Sequence, residues 1–85
     1  MISSKVTITA SSAALIATSG YGDPIILQNL GTGTLWVGGD NTVDNTNGLK
    51  VAVNDQLDLS KWSGEAWGYA ETNNCDVRVI EEKLG

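Results

Sequence analysis

Ile25-Ile-Leu-Gln-Asn-Leu-Gly-Thr-Gly-Thr-Leu-Trp-Val-Gly-Gly39 decides the reading of this chain. Ile25, Leu27 and Asn29 alternate with Ile26, Gln28 and Leu30, the period-two pattern of a strand with two unlike faces. Gly31-Thr-Gly33 then supplies residues that reach positive φ without a Cβ clash, which suits a tight reversal. Leu35, Trp36 and Val37 restart the extended pattern, and Gly38-Gly39 ends it. The segment reads as a hairpin of two short strands, so the expected scaffold is all-β.

The same reading extends in both directions. Upstream, Val6 and Ile8 share one face of a first strand at residues 4–9. Residues 10–18 mix helix-favouring alanine and leucine with serine and threonine, and read as a short extended piece. Ser19 to Pro24 is a loop, with the only proline placed just before a strand, where a missing ladder donor costs least. Downstream, residues 38–48 form a polar loop dense in turn formers. Leu49, Val51 and Val53 share a face of the next strand, Asn54-Asp55 turns, and Leu57 and Leu59 point inward with Asp58 outward. Lys61 to Gly64 turns again. Trp67 and Tyr69 then share a face, expected to pack inside or at a subunit boundary. Cys75, Val77 and Val79 alternate with Asp76, Arg78 and Ile80 in a last strand.

Seven to eight short strands with regular turn signals predict a compact antiparallel β-sandwich or a jelly-roll-like barrel. The expected layout is an N-terminal strand or arm at 1–10, one β-sandwich domain at 11–81, and a frayed tail at 82–85.

Composition narrows the chemistry. The chain has 85 residues, no histidine and one cysteine, Cys75. Neither a Ser/His/Asp nor a Cys/His arrangement forms from this set, an intrachain disulfide is impossible, and a typical zinc site has no imidazole. No cofactor is expected. Asp55 with Asp58, and Glu65 with Glu71, are the carboxylate pairs for glycoside chemistry, but a chain this short rarely builds both a core and a cleft. They read as solvated loop and edge charges, and the chain as a non-enzyme. Asp40 and Asp44 sit in an oxygen-rich loop ending at Gly48. Aligned as a calcium loop, Val43 falls where the first ligand belongs and Asn54 where the bidentate glutamate belongs. Turn chemistry explains the same residues, and an irregular calcium site on Asp40 and Asp44 stays open.

Ten acidic residues against five basic ones give a net charge of −5, a surface that repels nucleic-acid backbone. No apolar run is long enough to span a bilayer. The first ten residues alternate rather than forming the apolar core of a signal peptide, which predicts cytoplasmic synthesis. A domain of this size buries only roughly 60–65% of its unfolded surface, so association is the expected route to added stability. The candidate interface residues are Val6, Ile8, Trp36, Trp62, Trp67 and Tyr69. Three tryptophans in a chain without phenylalanine fit an interface or a core, and an exposed one also fits stacking on a sugar ring.

Four segments together resemble small virion proteins of tailed bacteriophages. They are residues 26–39; Asn47-Gly-Leu-Lys-Val-Ala-Val-Asn-Asp-Gln-Leu-Asp-Leu59; Ala66-Trp-Gly-Tyr-Ala70; and Asp76-Val-Arg-Val-Ile-Glu81. In that family a strand ending in an Asn-x-Gly turn leads to a strand ending in Gly-Gly. A polar loop, an amphipathic hairpin, an aromatic-alanine strand and a closing Val-x-Val strand follow. Asn54-Asp55 stands here where the family carries glycine in a turn. The resemblance implies a head decoration or minor capsid protein: a β-sandwich or jelly-roll-like domain, commonly a homotrimer, bound to the major capsid protein on the virion surface. It would cement the shell against the pressure of packaged DNA; separately, the alternating Val6 and Ile8 suggest that an arm such as Met1 to Ala10 adds a strand to a neighbour's sheet edge. The alternatives are a glycan-binding virion module using Trp36 or Trp62, and a tail or connector protein.

Overall fold

A computed structural model of the chain describes residues 2–19, 25–59 and 64–81. Eight strands occupy them: β1 (Ile2–Ile8), β2 (Ala13–Ser19), β3 (Ile25–Asn29), β4 (Leu35–Gly38), β5 (Leu49–Val51), β6 (Gln56–Asp58), β7 (Gly64–Ala70) and β8 (Cys75–Glu81). No helix occurs among the described residues. The strands form two four-stranded antiparallel sheets, the first in the order β1-β8-β3-β6 and the second β2-β7-β4-β5.

This order is a set of nested pairs. β4 bonds β5, β3 bonds β6, β2 bonds β7 and β1 bonds β8, as if one long hairpin had been folded over into two layers. That is the winding of a jelly roll, and the two sheets make a sandwich, as the strand spacing predicts. The hairpin expected at residues 25–38 is not one. β3 lies in the first sheet and β4 in the second, so Leu30 to Thr34 carries the chain from layer to layer. The amphipathic stretch on either side of Asn54 crosses in the same way, from β5 to β6. Among the described strands only β4 and β5 are both consecutive and paired.

Strand alternation sets the core. The buried face of β3 is Ile25, Leu27 and Asn29, and that of β8 is Cys75, Val77 and Val79. From the second sheet Leu35, Val37, Ala66 and Ala70 face them. A bulge in β2 opposite β7 shifts the register between Leu15 and Ala17, so Ile16 and Ala17 are both buried while Leu15 stays exposed. Ile8 is fully buried and Val6 packs against the same cluster. These two residues belong to the chain's own core rather than to an interface, because β1 is paired along its length with β8. β1 is an edge strand of its sheet, so strand addition of this segment to a neighbour would use its other side and leave that pairing in place. Leu49 and Val53 also depart from expectation. Leu49 opens β5, the edge strand of the second sheet, and is exposed there, while the strand stops at Val51 and Val53 is exposed as the chain turns toward the first sheet at Asn54, φ 69°.

Four sheet-to-sheet connections meet at one end of the sandwich. Ser11 N donates to Ala70 O at 2.7 Å, Leu30 N to Asp76 O at 2.8 Å, and Asn54 N to Asn29 O at 2.7 Å, so each connection is bonded to the next or to its strand. Gly31 owes its identity to this crowding. A Cβ there would lie 2.6 Å from Cys75 Cα and 2.8 Å from Asp76 N. Its φ is not in the left-handed region; among the described glycines only Gly64 takes positive φ. Asn29 closes the same end from inside. Fully buried, its Nδ2 donates to Gly33 O at 2.9 Å and to Val51 O at 3.1 Å, and its Oδ1 accepts from Gly31 N at 3.0 Å. One amide thereby joins the β3–β4 crossing to the end of β5.

Candidate functional site

The second sheet turns an aromatic surface outward, and the cause lies in β7. Along Gly-Glu-Ala-Trp-Gly-Tyr-Ala the small residues Ala66, Gly68 and Ala70 are buried, and Trp67 and Tyr69 lie on the other face. The interior has no room for them. A Cβ on Gly68 would already stand 2.6 Å from both Ile8 Cδ1 and Ile16 Cδ1, and 2.9 Å from Leu35 Cδ1. Of the two places expected for Trp67 and Tyr69, inside or at a subunit boundary, the first is corrected: the small residues take the core face, and the rings lie on the outer face of the sheet.

Register then assembles the surface. Tyr69 is flanked by Ala13 on β2 and by Trp36 on β4, and Trp36 in turn faces Lys50 on β5. One row below, Trp67 is flanked by Leu15 and Gly38. Trp36, Trp67 and Tyr69 are half-buried, and Leu15 is 41% exposed. Leu35 and Val37 are buried on the opposite side of β4, so of the two faces of that strand Trp36 holds the outer one.

The two indoles differ in polarity. Trp67 Nε1 donates to Glu65 Oε1 at 3.0 Å, which fixes the ring plane from the same strand. Trp36 Nε1 is buried and has no acceptor among the described residues. A buried N–H without a partner costs about 1–3 kcal/mol, so this face of the sheet holds an unsatisfied donor beside its aromatic rings. Periodicity assigned Trp36, Trp67 and Tyr69 to faces, but only the pairing of β4 with β7 brings the three together. Trp62 and Tyr21 lie outside the described residues.

The carboxylates are engaged elsewhere. Asp40 accepts from the backbone N and the hydroxyl of Thr42, and Asp44 does the same with Thr46. The side-chain bonds from the threonines, then the backbone ones, hold both carboxyls below their ordinary value of 3.8. Asn47 braces the loop by accepting from Asp44 N at 2.9 Å. Among the described residues no three metal-ligating side chains converge. Glu65 and Glu71 sit at opposite ends of β7 and its turn, roughly 20 Å apart along the strand, beyond the spacing of a glycosidase pair. Asp55 serves the fold through its backbone, accepting from Asn29 N at 3.0 Å. Cys75 is buried, and desolvation pushes its thiol up from the ordinary value. A thiol in this state is a small apolar residue rather than a nucleophile.

No protein-family model matches the chain, and neither the curated proteins nor the solved structures searched contain a significant match.

Proposed function

We infer that this chain is a structural protein of a tailed-bacteriophage virion that binds the outer surface of the head and cements neighbouring major capsid subunits. The observation that carries this reading is the patch formed by Leu15, Trp67, Tyr69 and Trp36 in two adjacent rows on one face of the second sheet. Half-exposed aromatic side chains on a rigid sheet are the kind of group that supplies most of the energy at a protein contact. The ordered motifs that resemble virion proteins and the jelly-roll winding point the same way, although that winding serves many functions. The mechanism is physical. A homotrimer presents the aromatic face three times, so modest contacts add to strong avidity. A clamp held at several points resists the outward pressure of packaged DNA. Synthesis takes place in the host cytoplasm, and the working location is the capsid surface.

The test is saturable binding of the purified protein to heads of its phage, with and without Trp67→Ala and Tyr69→Ala. Cementing predicts stoichiometric occupancy, a higher temperature for DNA release, and loss of both in the variants. Binding that survives both substitutions would refute the assignment of this face.

The same aromatic face, with Glu65 hydrogen-bonded to Trp67, also suits stacking on a sugar. A glycan-binding role in host adhesion is the second reading. It predicts a saccharide ligand on a glycan array whose affinity falls in Trp36→Ala, with occupancy of heads unchanged.

A further inference from the structure

The outer face of the first sheet, on the opposite side of the sandwich, carries a shallow concavity of about 590 Å³. Its floor holds an unusual charge arrangement. Lys5 and Arg78 are direct cross-strand neighbours on β1 and β8, and Gln28 of β3 flanks Arg78 on the other side. Like charges placed directly opposite each other destabilise a sheet, and the whole chain has only five basic residues against ten acidic ones. Asp76 offsets one of the pair, accepting from Arg78 Nε at 3.1 Å and from Nη2 at 3.2 Å. Lys5 lies in the field of the same Asp76 carboxylate without a direct ion pair among the described residues, so the floor sets two cations against one anion. The walls are aliphatic: Leu30 is 39% and Ile80 44% exposed.

These features select a ligand class. A nucleic acid would carry its phosphates beyond the concavity and along a chain at −5, whereas a short segment places its charge only over Lys5 and Arg78. A small anion would satisfy Lys5 and leave Leu30 and Ile80 in water. The concavity crosses three strands, about 10 Å, which an extended segment of about three to four residues covers. We propose that it docks an extended acidic segment of a partner protein, with a carboxylate set between Lys5 and Arg78 and aliphatic side chains on Leu30 and Ile80. The proposal rests on this face alone and is independent of the virion reading.

The test is an amide-shift NMR titration of the whole chain at low salt with the synthetic peptide Glu-Leu-Glu-Leu-Glu-Leu, beside its Lys-Leu counterpart. Docking predicts shifts centred on Lys5, Gln28 and Arg78 with the acidic peptide only. Affinity falls at least about tenfold in Lys5→Glu, as for other close charge pairs across an interface, and is unchanged in Lys50→Glu on the second sheet. Gln28→Glu gives the same loss and stands in should Lys5→Glu fail to fold. The proposal is overturned by the absence of shifts at about 1 mM peptide, an affinity barely above non-specific contact. Equal binding of the basic peptide, shifts confined to the Trp36 and Tyr69 face, or full reproduction by sodium glutamate would overturn it equally.

Discussion

Replacing Asn29 by alanine tests the central structural argument. The side chain is fully buried and makes three hydrogen bonds to backbone groups, Gly33 O, Val51 O and Gly31 N. Asn29→Ala leaves all three without their partner at the point where two connections cross between sheets. An orphaned buried group costs about 1–3 kcal/mol. Partial entry of water at this end of the sandwich places the three nearer the low limit, for a loss of about 3–5 kcal/mol. A domain of this length has about 4–13 kcal/mol in total, so the loss is a large fraction of its stability. Urea unfolding followed by tryptophan fluorescence reads the change. With a slope near 1 kcal/mol/M, the midpoint drops by about 3 M or more. Thr32→Ala, an exposed change in the same crossing segment, shifts stability by less than about 0.5 kcal/mol.

Asn29→Asp sharpens the test because it keeps the shape. One oxygen still accepts from Gly31 N, but the other now faces two carbonyl oxygens. Only the protonated acid can donate to one of them, so burial and those carbonyls raise the folded-state pKa above the ordinary value of about 3.9. A raised folded pKa contributes stability that is present below the unfolded value and lost as pH rises through the folded value. The variant is therefore closest to the parent at about pH 3–4 and weakest at neutral pH. The account fails if Asn29→Ala lies within about 1 kcal/mol of the parent, or if the deficit of Asn29→Asp does not grow with pH.

The parent protein has the opposite acid response. Asp40 and Asp44 are held below 3.8 by hydrogen bonds from Thr42 and Thr46, and Asp76 by the bond from Arg78. Depressed carboxyls give stability above their unfolded pKa and lose it as pH falls through the folded value, so the urea midpoint is flat above about pH 5 and declines below about pH 4. Thr42→Val and Thr46→Val together shrink that decline. Gly68→Ala drives a methyl onto Ile8 and Ile16 and costs about 1–3 kcal/mol by overpacking. Adding Ile16→Val removes one of the clashing carbons and recovers part of the loss, as read by thermal melts of the single and double variants. Cys75 stays unreacted with an aromatic disulfide reagent in the native state and reacts on unfolding in urea, because its thiol is buried and its pKa raised.

Alternation along the chain was enough to locate the strands. The faces Ile25/Leu27, Leu35/Val37, Leu57/Leu59 and Cys75/Val77/Val79 are buried or packed on the core as the pattern requires. Even the ambiguous stretch at 10–18 contributes β2. The aromatic surface was legible only in part. Period two shows that Trp67 and Tyr69 share a face, but it does not say which face is inward. That depends on Ile8, Ile16 and Leu35 reaching across to Gly68 from distant parts of the chain. The glycines of Gly31-Thr-Gly33 were legible as necessary, yet for a different reason: Gly31 makes way for Cys75 rather than supplying a left-handed φ. The left-handed positions instead fall to Ser11 and Asn54, at φ 60° and 69°.

By itself, the sequence determined that this protein is all-β, where its strands run, and that histidine, zinc-imidazole and intrachain disulfide chemistry are closed to it. Those properties reside in side-chain period and residue inventory, which need no partner. Only the tertiary structure decided that residues 25–38 cross between layers instead of folding into a hairpin. It also put Asn29 at the junction and Trp36 beside Tyr69. Strand pairing uses backbone donors and acceptors that are the same at nearly every residue. Its choice is therefore made by which distant faces fit, and local sequence carries little of that information.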